Sequence, residues 1–101
     1  MALTGYVGIT IRDDYILERE ELDDLQRLDI SKHNNCLYAM TLRGDSVRDI
    51  ERLSKEIPAH QLIHIKNQLK RVKSDTLYAA LQDNFGIHVF PSKRQVIVRR
   101  R

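Results

Sequence analysis

The chain has 101 residues, of which 42% are hydrophobic and 31% are charged. This length supplies one α+β domain with a single core, and the composition is typical of a globular protein rather than of a disordered segment. The longest apolar run, residues 77–81, is far shorter than the roughly 20 residues that a membrane-spanning helix needs. The N-terminal stretch MALTGYVGITIRDD has neither a basic n-region nor a long apolar h-region, so we expect no secretory signal. A single cysteine excludes an internal disulfide, which fits a reducing compartment, and we expect a cytoplasmic protein.

The net charge of +3 conceals an uneven distribution of acids and bases. Residues 1–50 contain ten acids and six bases, a balance of −4, whereas residues 51–101 contain four acids and eleven bases, a balance of +7. This polarity suits an anionic partner, or it lets the acidic face of one subunit meet the basic face of another. An unevenly charged surface without a partner is the third interpretation.

The first half of the chain predicts two strands and one helix. Apolar residues alternate with other residues in GYVGITIR, residues 5–12, which indicates a half-buried strand. CLYAMTLR, residues 36–43, predicts a second strand after the Asn34-Asn35 turn. Between these strands, leucines spaced three apart predict a short amphipathic helix: Leu22, Leu25 and Leu28.

The second half predicts helices followed by a hairpin. Ser46 is placed to cap a helix that ends at Pro58, with Asp49 in the capping-box position. Residues 60–73 fit helical spacing, and their first part also fits a strand, so periodicity leaves both open. Residues 75–85 predict a helix that ends at Gly86. The apolar runs IHVF and QVIV are expected to pair as a hairpin.

Two architectures accommodate these elements. Residues 46–101 have the element order of a winged helix-turn-helix. Alternatively, strand–helix–strand–helix–strand over residues 5–66 forms a ferredoxin-like sheet, with the last helix and the hairpin appended. Both belong to the α+β class, which is therefore the prediction for a single domain over residues 1–101 with a basic C-terminal half at residues 60–101.

The sequence provides little support for catalysis or for a metal cofactor. It contains no G-x-S-x-G motif, and the only cysteine opens a predicted strand, where burial would leave the thiol inert. We therefore expect a protein that is not an enzyme, with no catalytic residues and no cofactor. The only candidate metal ligands come from the H-x2-C and H-x3-H spacings: His33, Cys36, His60 and His64.

Clustered bases in the second half indicate nucleic-acid binding instead. They form one group within residues 66–73 and another within residues 93–101. The candidate binding residues are Lys66, Lys70, Arg71, Lys73, Lys93, Arg94, Arg99, Arg100 and Arg101. Tyr6, in the stretch GYVGITI, is also similar in placement to the aromatic strand of an RNA-recognition motif, although the sequence shows no aromatic neighbours beside it.

One stretch resembles a known family. NNCLYAMTLRGDSVRDIERLSKEIPAHQLIHI, residues 34–65, is similar to the strand–helix–strand section of the regulatory domain of nickel-responsive ribbon-helix-helix repressors. The similarity lies in Cys36-Leu37, in the turn at residues 42–45 and in the apolar stripe of the helix. It implies a ferredoxin-like fold, assembly into tetramers and a regulatory role. The family's ligand histidines would fall at Leu28 and Ile30, so no nickel site is expected.

Together these observations predict a small regulator or accessory protein that binds nucleic acid, expected to be DNA, through its basic C-terminal helix and hairpin. We expect it to be a homo-oligomer without membrane contact. The alternative is a protein-interaction or ligand-sensing module that oligomerises through its sheet and does not contact nucleic acid.

Overall fold

An antiparallel sheet with helices on one face forms the framework of the protein. The computed structural model describes residues 2–82, 84–89 and 96–98, which contain five strands and four helices. In chain order these are β1 (Leu3–Thr10), α1 (Arg19–Arg27), β2 (Ser31–His33), β3 (Cys36–Gly44), α2 (Val47–Glu56), α3 (Ala59–Leu69), α4 (Asp75–Ala80), β4 (Gly86–Val89) and β5 (Val96–Val98).

The strand order is β2-β3-β1-β4-β5, and every neighbouring pair is antiparallel. It follows that β1 runs parallel to β2 with β3 between them, and that β3 runs parallel to β4 with β1 between them. This is the split βαβ order of the ferredoxin-like arrangement, with β5 added at one edge. The predicted α+β class is therefore confirmed. The C-terminal hairpin of β4 and β5 is part of the main sheet.

The structure differs from the sequence prediction in three elements of the second half of the chain. Residues 60–66, which the ferredoxin-like alternative used as a strand, lie in α3, and the strand beside β1 is β4 instead. The predicted helix over residues 75–85 ends at Ala80, because Leu81 has an extended backbone and the N–H of Gln82 donates to the carbonyl of Thr10. Gly86 consequently begins β4 rather than ending a helix.

The caps and stripes of the first two helices are largely as predicted. The Ser46 hydroxyl accepts the N–H of Asp49 at 3.2 Å, while the Asp49 carboxylate accepts the N–H of Asp45 at 3.0 Å. In α1, Leu25 is buried, but Leu22 is largely exposed and does not belong to the apolar stripe. No helix in the described part of the chain is long and apolar enough to cross a membrane.

A single core fills the space between the sheet and the helices. Side chains alternate along each strand, and one set from the central strands points into this core: Val7, Ile9, Leu37, Ile87 and Val89. The helices contribute Leu25, Ile50, Ile65, Leu69 and Leu77. All four described helices contribute to this cluster, so within the part of the chain that the structure describes the other face of the sheet has no helical layer. We call it the second face.

A β-bulge at the centre of the sheet controls which side chains reach the second face. Val7 pairs with Met40, but Gly8 pairs with Tyr38, so Ala39 is an extra residue in β3. The backbones approach so closely here that a Cβ atom on Gly8 would lie 1.9 Å from the carbonyl oxygen of Leu37. Only glycine fits this position.

Replacing Gly8 by alanine should therefore destabilise the protein severely, by about 3 kcal/mol or more, because the obstructing atoms are backbone. Gly5→Ala is the matched control, since its Cβ would meet the methyl groups of Ile50 and Ile87, which are side chains that can shift. Urea denaturation of both variants measures the difference. Equal stability of the two variants would contradict this account of the bulge.

A buried carboxylate in α1 holds the helical layer together. Glu21 is 6% exposed. Its Oε1 accepts the N–H of Glu18 at 2.8 Å, and its Oε2 accepts the hydroxyl of Ser74 at 2.6 Å and that of Tyr15. One turn later, Asp24 accepts the N–H of Lys73 at 2.8 Å. Two acids of α1 therefore fasten the connection between α3 and α4.

These contacts favour the ionised carboxylates. Burial raises the pKa of Glu21, but the hydrogen bonds from Glu18, Ser74 and Tyr15 outweigh it and lower the pKa below its ordinary value. The N–H of Lys73 lowers the pKa of Asp24, with help from Arg27 and against burial. Because both values are lower in the folded state, the resulting stability is complete above the ordinary carboxyl pKa of about 4 and is lost below it.

Glu21→Gln should cost about 1–3 kcal/mol of unfolding free energy at pH 7, because it removes a buried charged acceptor. The gap between the variant and the unsubstituted protein should narrow as the pH falls below about 4, where the native carboxylate becomes protonated. Chemical denaturation at a series of pH values tests this. The control Glu20→Gln changes an exposed acid of the same helix and should cost less than about 0.5 kcal/mol. A gap for Glu21→Gln that does not change with pH would refute the assignment.

Candidate functional site

The second face of the sheet contains aromatic side chains from its two central strands. Val7 and Leu37 point into the core, so their neighbours Tyr6 on β1 and Tyr38 on β3 point away from it. β1 and β3 are adjacent, which brings the two tyrosines together. Both side chains are half-buried, although neither belongs to the hydrophobic core.

A histidine from the edge strand completes an aromatic cluster. The ring of His33 stacks on the ring of Tyr6, with centroids 4.6 Å apart and planes inclined by 14°. The ring of Tyr38 contacts Tyr6 from another side, at 4.5 Å and 60°. The short β2–β3 hairpin positions His33 by pairing it with Cys36. We refer to Tyr6, His33 and Tyr38 as the aromatic cluster.

The strands that present the aromatic cluster carry no acid, and the acid beside the β2–β3 turn, Asp13, accepts the side-chain amide of Asn35. None of the thirteen acids that the structure describes lies in a strand. Thr41 is opposite Tyr6 in the β1–β3 register, Arg43 is opposite Thr4, and both Thr41 and Arg43 are exposed. The second face therefore combines aromatic rings, hydroxyl groups and a guanidinium group, without a carboxylate in its strands.

Two buried titratable groups lie next to the aromatic cluster. His88, opposite Tyr6 on β4, is fully buried, and this burial lowers its pKa despite hydrogen bonds with the backbone of Gly8 and Asn84. Burial raises the pKa of the Cys36 thiol to about 12. Both groups are consequently uncharged at neutral pH. A protonated, buried thiol is a poor nucleophile, as the sequence led us to expect of Cys36.

The first basic group lies on the helical layer rather than on the second face. Lys66 belongs to α3, Lys70 follows its last residue, and the ammonium group of Lys70 is 6.0 Å from the ring of Tyr78. Arg71 and Lys73 are exposed in the segment that leads to α4. The backbone of Lys73 is held by Asp24, so acids of α1 lie beside these bases.

The second basic group lies outside the described residues: Lys93, Arg94, Arg99, Arg100 and Arg101. Whether the two basic groups share one surface therefore stays a prediction. The hairpin that was expected to present the second group is present as β4 and β5, which pair from Ile87–Val98 to Val89–Val96.

The candidate metal ligands are separated into two pairs. His60 and His64 are exposed one turn apart on α3, whereas His33 and Cys36 face each other in the β2–β3 hairpin. Among the described residues, no three His, Cys, Asp or Glu side chains come close enough together to hold a metal ion. Leu28 and Ile30, the positions of the ligand histidines in the repressor resemblance, are buried in the core.

Comparison with protein-family models, with curated proteins and with solved structures gives no match to this chain.

The sequence does not predict the aromatic cluster, although it singles out Tyr6. Tyr6 lacks aromatic neighbours in the chain, because its neighbours come from other strands. The available signal was Tyr38 in the predicted strand at residues 36–43. Placing Tyr38 beside Tyr6 requires the antiparallel register of β1 and β3 and the bulge at Ala39, and the sequence shows neither.

The burial of Cys36 predicts that its thiol is unreactive in the folded protein. A disulfide reagent should modify native protein at least about 100-fold more slowly than protein unfolded in urea, because a pKa of about 12 leaves very little thiolate at pH 8. The unfolded chain, with its thiol near the ordinary value, provides the internal control. Similar rates in the two states would show that the thiol is accessible and ionised.

Proposed function

We propose that the protein is a non-enzymatic nucleic-acid-binding protein, and that it binds a single strand by stacking bases on the aromatic cluster. The observation that carries this proposal is the contact of Tyr6, His33 and Tyr38 on the face of the sheet opposite the helices. These three residues lie outside the core, and each is only partly buried.

Base stacking explains why the ligand is a single strand. Unpaired bases can be splayed over a flat sheet, and each base stacked on an aromatic side chain contributes about 1–3 kcal/mol. In a duplex the faces of the bases are already stacked on one another and are not accessible to Tyr38. The proposal therefore narrows the expected nucleic acid to single-stranded RNA or DNA.

Phosphate groups require nearby positive charge, and the second face meets this requirement. Arg43 is exposed at the end of β3, and the strands contribute no carboxylate that would repel a phosphate. In sequence, the second basic group directly flanks β5, the strand next to β4. Phosphate contacts position the ligand, and contacts to bases give any preference for sequence.

Anisotropy titrations with labelled single strands of RNA and DNA, and with the matching duplex, test the proposal. A single strand should bind more tightly than the duplex. Tyr38→Ala should weaken single-strand binding by about 5- to 100-fold through the lost stacking and leave the salt dependence unchanged. Arg43→Gln should instead reduce the slope of log affinity against log salt by about 1.

Tyr78→Ala is the matched control, because Tyr78 is a 48% exposed tyrosine on α4, in the helical layer. It should bind like the unsubstituted protein. Duplex binding that survives Tyr38→Ala and is lost in Lys66→Gln or Lys70→Gln would place the interface on the helical layer instead. No binding of any strand at low salt would rule out the proposed function altogether.

A further inference from the structure

An apolar groove lies between α3 and the beginning of β4, on the helical side of the protein. Leu62, Ile63, Phe85 and Ile87 line it, and Lys66 stands at its rim. Its volume of about 190 Å³ is ample for an aliphatic side chain. Ile63 is 60% exposed, so this groove presents apolar surface to solvent.

The α3 wall of the groove carries positive charge. α3 contains no Asp or Glu, and its Lys66 lines the groove. Lys70 follows directly at its C-terminal end. A partner that fills the groove should therefore present an apolar side chain surrounded by acids.

The same chain presents such a side chain elsewhere. Ile16, in the segment between β1 and α1, is 86% exposed, the highest value among the exposed large hydrophobic residues that the structure describes. Asp14, Glu18 and Glu20 line a shallow depression together with Ile16. Asp14 is paired with Arg12 and Arg19 lies between the two glutamates, so Glu18 and Glu20 supply the net negative charge of the segment. An aliphatic side chain held in water among carboxylates is suited to insertion into a basic apolar groove. We call this segment the acidic knob, residues 14–20.

We propose that the protein associates with itself head to tail, with Ile16 of one copy inserted into the groove of the next copy and the acids of the knob facing Lys66. The occupant of the groove is a second copy because the chain itself carries an exposed aliphatic side chain beside acids, which complements the apolar groove and its lysine. This inference does not depend on the proposed nucleic-acid function, because it uses neither the aromatic cluster nor Arg43.

The contact joins two different surfaces, which has consequences for the assembly. A heterologous contact closes into a ring or continues as an open chain, depending on the rotation between successive copies. Because the groove accommodates little more than one side chain, the contact should be weak, and because its rim is charged, salt should weaken it further.

Sedimentation velocity with two variants, alone and mixed, provides the test. Ile16→Asp destroys the knob and keeps the groove, whereas Ile63→Asp destroys the groove and keeps the knob. The unsubstituted protein should associate as its concentration increases, and each variant alone should associate about 10- to 100-fold more weakly. An equimolar mixture should form a heterodimer that grows no further, because only one intact knob–groove pair remains.

Both substituted side chains are exposed, so the variants should fold, and an unchanged thermal midpoint verifies this. Tyr78→Ser removes an exposed aromatic side chain from outside the knob and the groove and should leave association unchanged. Two results would overturn the proposal. One is an unsubstituted protein that remains monomeric up to millimolar concentration at low salt. The other is association of the unsubstituted protein that the mixture of variants fails to restore.

Discussion

The contact between the Gly8 backbone and the carbonyl group of Leu37 determines what the sheet can present to solvent. It lies at the bulge, where Ala39 is the extra residue of β3. In a regular register without the bulge, Ala39 would pair with Gly8 and Tyr38 would pair with Ile9. Tyr38 would then point into the core and Leu37 outward, because a shift of one residue exchanges the two faces of a strand. The bulge thus keeps Leu37 in the core and brings Tyr38 next to Tyr6. The aromatic cluster depends on a glycine that contributes no side chain to it.

The helical layer explains the segregation of charge that the sequence shows. The acids of the first half are used locally: Glu21 and Asp24 fasten the connection between α3 and α4, and Asp49 binds the backbone at the beginning of α2. All three of these carboxylates act at helices and loops, and none of the described strands contains an acid. The sheet can consequently present an acid-free surface, although the chain as a whole contains nearly as many acids as bases.

The sequence predicts those elements whose structure is determined by neighbouring residues. Strand β1, helix α2 and the final hairpin follow from periodicity and from the Ser46 cap, which are properties of neighbouring residues. The structure of residues 60–73 does not follow from local pattern, because the spacing of their apolar residues fits both the helical and the strand period. The choice of a helix depends on packing against the sheet. The three-residue strand β2 is too short to form a pattern. The aromatic cluster is the least predictable feature, since it joins residues of three strands through a bulged register.

The two proposed surfaces lie on opposite layers of the protein, which makes them compatible. The groove is formed where α3 meets β4 on the helical side, while the aromatic cluster lies on the second face. A head-to-tail contact through the groove would therefore leave every aromatic cluster open to a ligand. Copies joined in this way would present successive stacking surfaces, and a single strand long enough to reach two of them would bind both at an elevated effective concentration. In that case the contact between copies, although weak by itself, would make binding along the strand cooperative.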